Sequence, residues 1–163
     1  MNSISTEIRH SQSRVQDFAD LEYRRKFMNL TDKDCASIRL IKDIIDRELP
    51  VALDVFYDQV RKTPETSAFF STETKIAHAK HAQQDHWKNI SSATFDQKYA
   101  DKVHTIGSVH ARIGLEPRWY IGGYAIVMDH LVRSIVADIA PKTGLFAKKP
   151  TISTEEMGDA ISS

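Results

Sequence analysis

His110 stands apart from the other histidines of the 163-residue chain, because "VHTIGSVHARIGLEPRWYIGGY" (residues 103–124) is otherwise apolar, glycine-rich and aromatic. An imidazole in such a run has two readings. It is either a core residue that hydrogen-bonds a neighbour or, in its neutral form, a ligand to a metal. Gly107 and Gly114 lie one helical turn to each side of it and each removes a side chain. Glycine costs a helix interior about 1 kcal/mol relative to alanine, so the pair signals a need for space, either for a flat group or for a closely packed helix. Trp119 and Tyr120 follow after a short turn, close enough for the Tyr120 hydroxyl to approach the imidazole or its surroundings.

A metal held by one imidazole needs the rest of its coordination from a cofactor, and haem is the cofactor that requires a single protein ligand. Zinc is the competing chemistry. His78, His81 and His86 lie on one predicted helix, but 78 and 81 share a face that 86 does not, and no Cys, Asp or Glu completes a tetrahedral set. These three read as solvated. The wall opposite His110 is supplied by Tyr57, which sits in an apolar helical stripe beside Phe56. A buried phenol wants a hydrogen-bond partner. Over a haem iron it would donate to dioxygen; otherwise it is a core tyrosine with its oxygen at the surface.

The elements that must position these groups are helical throughout. Val15, Phe18, Leu21, Phe27 and Leu30 predict a short amphipathic helix after a polar arm over residues 1–14, with Thr31 capping the next one. "DKDCASIRLIKDIIDREL" places Ile38, Ile41, Ile44 and Ile45 on one face, and Pro50 is expected in the first turn of a separate helix, "VALDVFYDQVRK", that Pro64 ends. Phe69 and Phe70 pack a corner, and a long helix opens near Ser71 or Thr72. Tyr99, Val103, Ile106, His110 and Ile113 recur at steps of four and three until Gly114, which puts His110 in a buried stripe. Pro117 starts a helix of about two dozen residues that must be covered on several sides. Ser153 and Glu156 match a capping box, so a last helix is expected to begin and to be cut off, as in the N-terminal part of something longer.

The sum is a single all-α domain over residues 15–163 with roughly six or seven helices. Lys plus Arg and Asp plus Glu both number 22, so no basic face is expected for nucleic acid or anionic membrane. No signal pattern opens the chain, and no apolar run reaches the ~18 residues of a membrane span. The one cysteine, Cys35, forms no internal disulfide and has no metal-ligand or redox spacing, so a reducing, cytoplasmic setting is expected.

"VALDVFYDQV", "AFFS", "AKHAQQDHW" and, above all, the segment of His110 with its Ala-Arg-Ile-Gly-Leu, Trp-Tyr and Gly-Gly-Tyr, resemble the sensor domain of the globin-coupled sensors over about residues 20–138. The resemblance implies a globin-like fold lacking the normal fourth short helix, with haem b between the helix of His110 and that of residues 73–91. His110 would be the proximal iron ligand, Tyr120 its neighbour, and Tyr57 the donor to bound dioxygen. Phe69, Phe70, Ile106 and Ile113 would line the cofactor. The positions where the family often carries a leucine and a small polar residue fall at Ala79 and Ala82, a departure that makes the pocket roomier and less polar; a one-residue slip would bring Lys80 there instead. The family also binds carbon monoxide or nitric oxide, forms homodimers through its last two long helices, and joins the globin to a chemotaxis transducer, diguanylate cyclase or histidine kinase. The N-terminal helix is most like the aerotaxis-transducer branch. The expectation is a gas sensor with no catalytic residue of its own. Its rivals are an oxygen-carrying or nitric-oxide-detoxifying globin and a haem-free helical interaction domain.

Overall fold

A computed structural model describes residues 18–140, and all regular structure among them is helical. The described part of α1 covers 18–27. It is followed by α2 (Asp32–Leu40), α3 (Lys42–Lys62), the single turn α4 (Pro64–Ser67), α5 (Glu73–Ser91), α6 (Gln97–Ile113) and α7 (Pro117–Ile139). The expected arm over 1–14 and the capping box at Ser153 lie outside the described residues.

Local chemistry sets most of the ends. Thr31 caps α2 in a reciprocal box: its hydroxyl accepts from the Asp34 N–H while the Asp34 carboxylate accepts from the Thr31 N–H at 2.6 Å. Thr72 caps α5 by accepting from the Lys75 N–H, and Asp96 caps α6 by accepting from the Tyr99 N–H at 2.9 Å. Gly114 ends α6 in the left-handed region at φ 72°, and the Leu115 N–H closes the turn onto the His110 carbonyl. The glycine at 114 therefore answers a backbone need rather than a need for room beside His110. Pro117 occupies the first turn of α7.

Two expectations about α2 and α3 are overturned. The chain breaks at Ile41, where neither glycine nor proline marks it, and Pro50 lies inside α3 rather than at the start of a new helix. Proline in a helix interior costs about 3 kcal/mol. What offsets it is an unbroken apolar stripe running through that point: Ile41, Ile44, Ile45, Leu49, Ala52, Leu53, Tyr57 and Val60 are all buried at steps of three and four, while Pro50 faces outward. The pattern on α1 also fails in part, since Leu21 is buried but Phe27 is 83% exposed.

The core forms where α3 crosses α7. Leu49, Ala52 and Leu53 pack with Val127, Leu131, Ile135 and Ile139, and Trp87 of α5 closes the cluster. A smaller cluster of Tyr57, Val60 and Ile76 joins α3 to the first half of α5, with Phe56, Phe70 and Ala79 against it. The opposite face of α7 is not covered among the described residues: Ile121, Met128 and Val136 are exposed. The α5–α6 corner is fixed to α2 by Arg39, whose guanidinium donates to the carbonyl of Ala93 at 3.2 Å.

Candidate functional site

α6 has the sequence of a helix with a buried face, yet Ala100 is the one residue of it that is buried. Val103, Ile106 and His110 are half-buried, and Ile113, at the end of the same stripe, is 44% exposed. The expected burial of this stripe is thus only partly supplied among the described residues. Across from it stands α5, and between the two lies a cavity of about 590 Å³ whose walls include Ala82 and His86 of α5 and Thr105 and Ile106 of α6. Asp85, Lys88, Asn89, Asp101 and Lys102 also line it, and neither His110 nor Tyr57 does. An apolar stripe left open toward a facing helix is the shape a flat, largely apolar group would fill. A Cβ added at Gly107 would meet nothing within 4 Å, so this glycine serves no close helix contact among the described residues.

His110 lies face to face with Tyr120 of α7, the ring centroids 5.4 Å apart and the planes 16° from parallel. Burial pushes the His110 imidazole below its usual pKa, which favours the neutral ring that a metal requires. Tyr57 is 3% exposed and is wedged edge-on between Phe56 at 4.9 Å and Phe70 at 6.0 Å. Its hydroxyl makes no hydrogen bond among the described residues, and burial raises its pKa well above the ordinary value, so it stays a proton donor. Ala79 packs beside it, whereas Ala82, one turn on, lines the cavity.

The remaining predicted residues divide. Phe70 joins the Tyr57 cluster, and Phe69 is half-buried at the α4–α5 corner. Lys80 is committed elsewhere, its ammonium paired with Asp54 of α3. Among the described residues no three His, Cys, Asp or Glu side chains gather as a metal set, and His81 faces Asp85 at 3.6 Å.

His86 corrects the sequence reading. It is half-buried on the cavity wall rather than solvated, its Nε2 lies 2.7 Å from the Tyr124 hydroxyl, and its Nδ1 is buried without a partner among the described residues. Burial, with His110 and Lys102 nearby, depresses its pKa. The signal was in the spacing: 79, 82 and 86 run at three and four along α5, so His86 shares the face of the two alanines. Tyr124 also stacks at a tilt on Trp87, 5.4 Å between centroids.

Residues 17–160 match a family model described as Protoglobin. The haem-based aerotactic transducer of Halobacterium salinarum is 25% identical over 127 residues, a match that takes in 75% of this chain and 26% of that protein. The chain thus spans about a quarter of that relative's length. The solved globin domain of a Geobacter sulfurreducens globin-coupled sensor superposes with a TM-score of 0.72 at 18% identity, covering 86% of this chain and 85% of that one. No helix among the described residues is long and apolar enough to cross a membrane.

Proposed function

The chain belongs to the Protoglobin family, and from that premise we propose that it is a haem-based gas-sensing domain, not itself an enzyme, that binds dioxygen. In this reading it passes a conformational signal through a homodimer to an output module such as a chemotaxis transducer. The observation that carries the reading is the half-buried apolar stripe of α6, which holds the ring-stacked His110 and, at Ile106, opens on a cavity shared with α5. The name of the Halobacterium relative, a haem-based transducer, supports it.

Haem b, when bound, would supply an iron able to take up a diatomic gas: dioxygen, carbon monoxide or nitric oxide. His110 is the proximal ligand, and Tyr120 holds its ring in place by stacking. Tyr57 would offer an otherwise unused O–H to the gas, while Phe56, Phe70 and Ile76 pack around its side chain. Ala79 and Ala82 add no polar group, so the hydrogen bond rests on Tyr57. Ile106 and Ile113 of α6 and Phe69 near α5 complete the apolar lining. A signal requires that the gas bind two arrangements of the dimer with different affinity. The uncovered face of α7, with Ile121, Met128 and Val136, is where a second copy would pack. The single buried thiol, Cys35, suits a reducing cytoplasm.

The match to part of a transducer favours a sensor over an oxygen-carrying or nitric-oxide-detoxifying globin. The open space at Gly107 argues against a haem-free domain that uses its glycines for helix packing. The deciding measurement is the absorption spectrum of purified wild type and His110→Ala, oxidised, reduced, and reduced under oxygen or carbon monoxide. Wild type shows a haem band that responds to gas and His110→Ala loses the five-coordinate ferrous signature; a wild type without any haem band refutes the reading.

A further inference from the structure

Every helix that walls the cavity or the Tyr57 cluster touches α7 within one turn of it. From α6, the His110 ring lies on Tyr120. From α3, Phe56 reaches the backbone of α7 so closely that a Cβ at Gly123 would lie 2.7 Å from its Cε2 and 3.2 Å from its Cζ. From α5, His86 is held by the Tyr124 hydroxyl at 2.7 Å. Residues 120, 123 and 124 are spaced as neighbours on one helical face. The contacts differ in kind: a ring stack, a steric contact that only glycine admits, and a hydrogen bond.

The Gly123 contact has the most direct line to the gas side. Phe56 stands edge-on to Tyr57 at 4.9 Å and 71°. Packed aromatic rings do not deform smoothly, so α7 cannot shift against α3 at this point without moving Phe56, and Phe56 cannot move without disturbing the Tyr57 ring. Phe56 is partly buried between the two core clusters, so it has packed neighbours on both sides.

We propose that Gly123 and Tyr124 are positioning residues for the gas-side wall, Gly123 through Phe56 onto Tyr57 and Tyr124 through His86, so that the Tyr120–Gly123–Tyr124 face of α7 registers changes from all three helices. This rests on the gas-sensing reading above. It assigns the Gly-Gly-Tyr segment a function that neither helix formation nor dimer packing requires. It also gives the signal a starting point on the same helix whose other face is uncovered.

The test uses the whole chain loaded with haem and reads two quantities: the infrared stretching frequency of bound carbon monoxide, and the dioxygen dissociation rate. Gly123→Ala places a methyl against Phe56; it shifts the stretching frequency and speeds dissociation by about threefold or more, the size expected of coupled neighbours. In a Tyr57→Phe background the same substitution changes neither quantity, and combined with Phe56→Leu it returns both to the values of Phe56→Leu alone. Tyr124→Phe keeps the ring but cuts the link to His86, giving a smaller frequency shift. Val51→Ala, on the exposed side of α3, leaves both unchanged. A Gly123→Ala protein indistinguishable from wild type, or one whose effect persists without the Tyr57 hydroxyl, overturns the proposal. If Gly123→Ala does not fold, Phe56→Leu alone decides: an unchanged stretching frequency overturns the proposal and a changed one supports it. A wild type that takes up no haem refutes the gas-sensing reading instead and is seen before any variant is made.

Discussion

Tyr57→Phe separates the fold from the proposed gas-binding role because it keeps the packed ring and removes only the hydroxyl. The side chain is almost entirely buried and its hydroxyl has no protein partner among the described residues, while the ring itself is packed by Phe56 and Phe70. Phenylalanine keeps the packed ring and removes only a hydroxyl that makes no hydrogen bond among the described residues, so little folding free energy is at stake. The cofactor-free variant is therefore expected to stay within about 1 kcal/mol of wild type, read from urea unfolding. If Tyr57 donates to dioxygen as proposed, the same change in the haem-loaded protein removes that hydrogen bond. A net loss of about 1.4 kcal/mol corresponds to tenfold faster dissociation. Carbon monoxide, a poorer acceptor, should change much less. Because burial holds the Tyr57 proton well past its ordinary range, the wild-type dioxygen rate should be flat from about pH 6 to 9 as far as this group is concerned. A cofactor-free variant destabilised by more than about 1 kcal/mol would mean that the hydroxyl is satisfied by protein, and an unchanged dissociation rate would remove it from the gas site.

Pro50→Ala restores an N–H to the interior of α3 at an outward-facing position and should raise stability by about 1–3 kcal/mol in thermal or urea unfolding; a loss of stability would mean that the proline starts a helix after all. Leu53→Ala empties a completely buried position between α3 and α7 and should cost about 2–5 kcal/mol, whereas Val51→Ala on the exposed side of α3 stays within about 0.5 kcal/mol. For pH, His86 and His110 both have folded pKa values below their ordinary 6.5. The unfolded chain then binds more protons than the folded one in the window just below 6.5, so the contribution of these groups is full above that pH and is lost as pH falls through it. Cofactor-free protein should accordingly lose urea resistance between about pH 7 and 5, and His86→Gln should reduce that slope; a slope unaffected by the substitution would show that His86 is not depressed.

Much of this fold was legible because its ends are written in local chemistry. Thr31, Thr72, Gly114 and Pro117 each act on backbone groups within four residues, and a single sequence carries that information in full. Pro50 was misread for the opposite reason: its intrinsic preference is local, but the burial of Leu49, Ala52 and Leu53 that overrides it comes from α7, more than seventy residues away. Phe27 is exposed although its spacing is that of a core residue, which shows that periodicity defines a face without saying whether anything covers it. The site divides along the same line. His110, Tyr120 and Tyr57 stood out because their residue types are unusual for their surroundings. His86 did not, since its place is fixed by the hydroxyl of Tyr124, a partner thirty-eight residues on.

The thinly supported α6 bears on how long the protein survives as well as on what it binds. A helix that buries only Ala100 opens locally at low free energy, and opened backbone is what proteases cut and where amide hydrogens exchange. Anything that fills the space against α5 closes that route by mass action, in proportion to its free concentration over its dissociation constant. Supply of whatever fills that space would thus set the amount of intact protein, since copies left empty would be the ones degraded first.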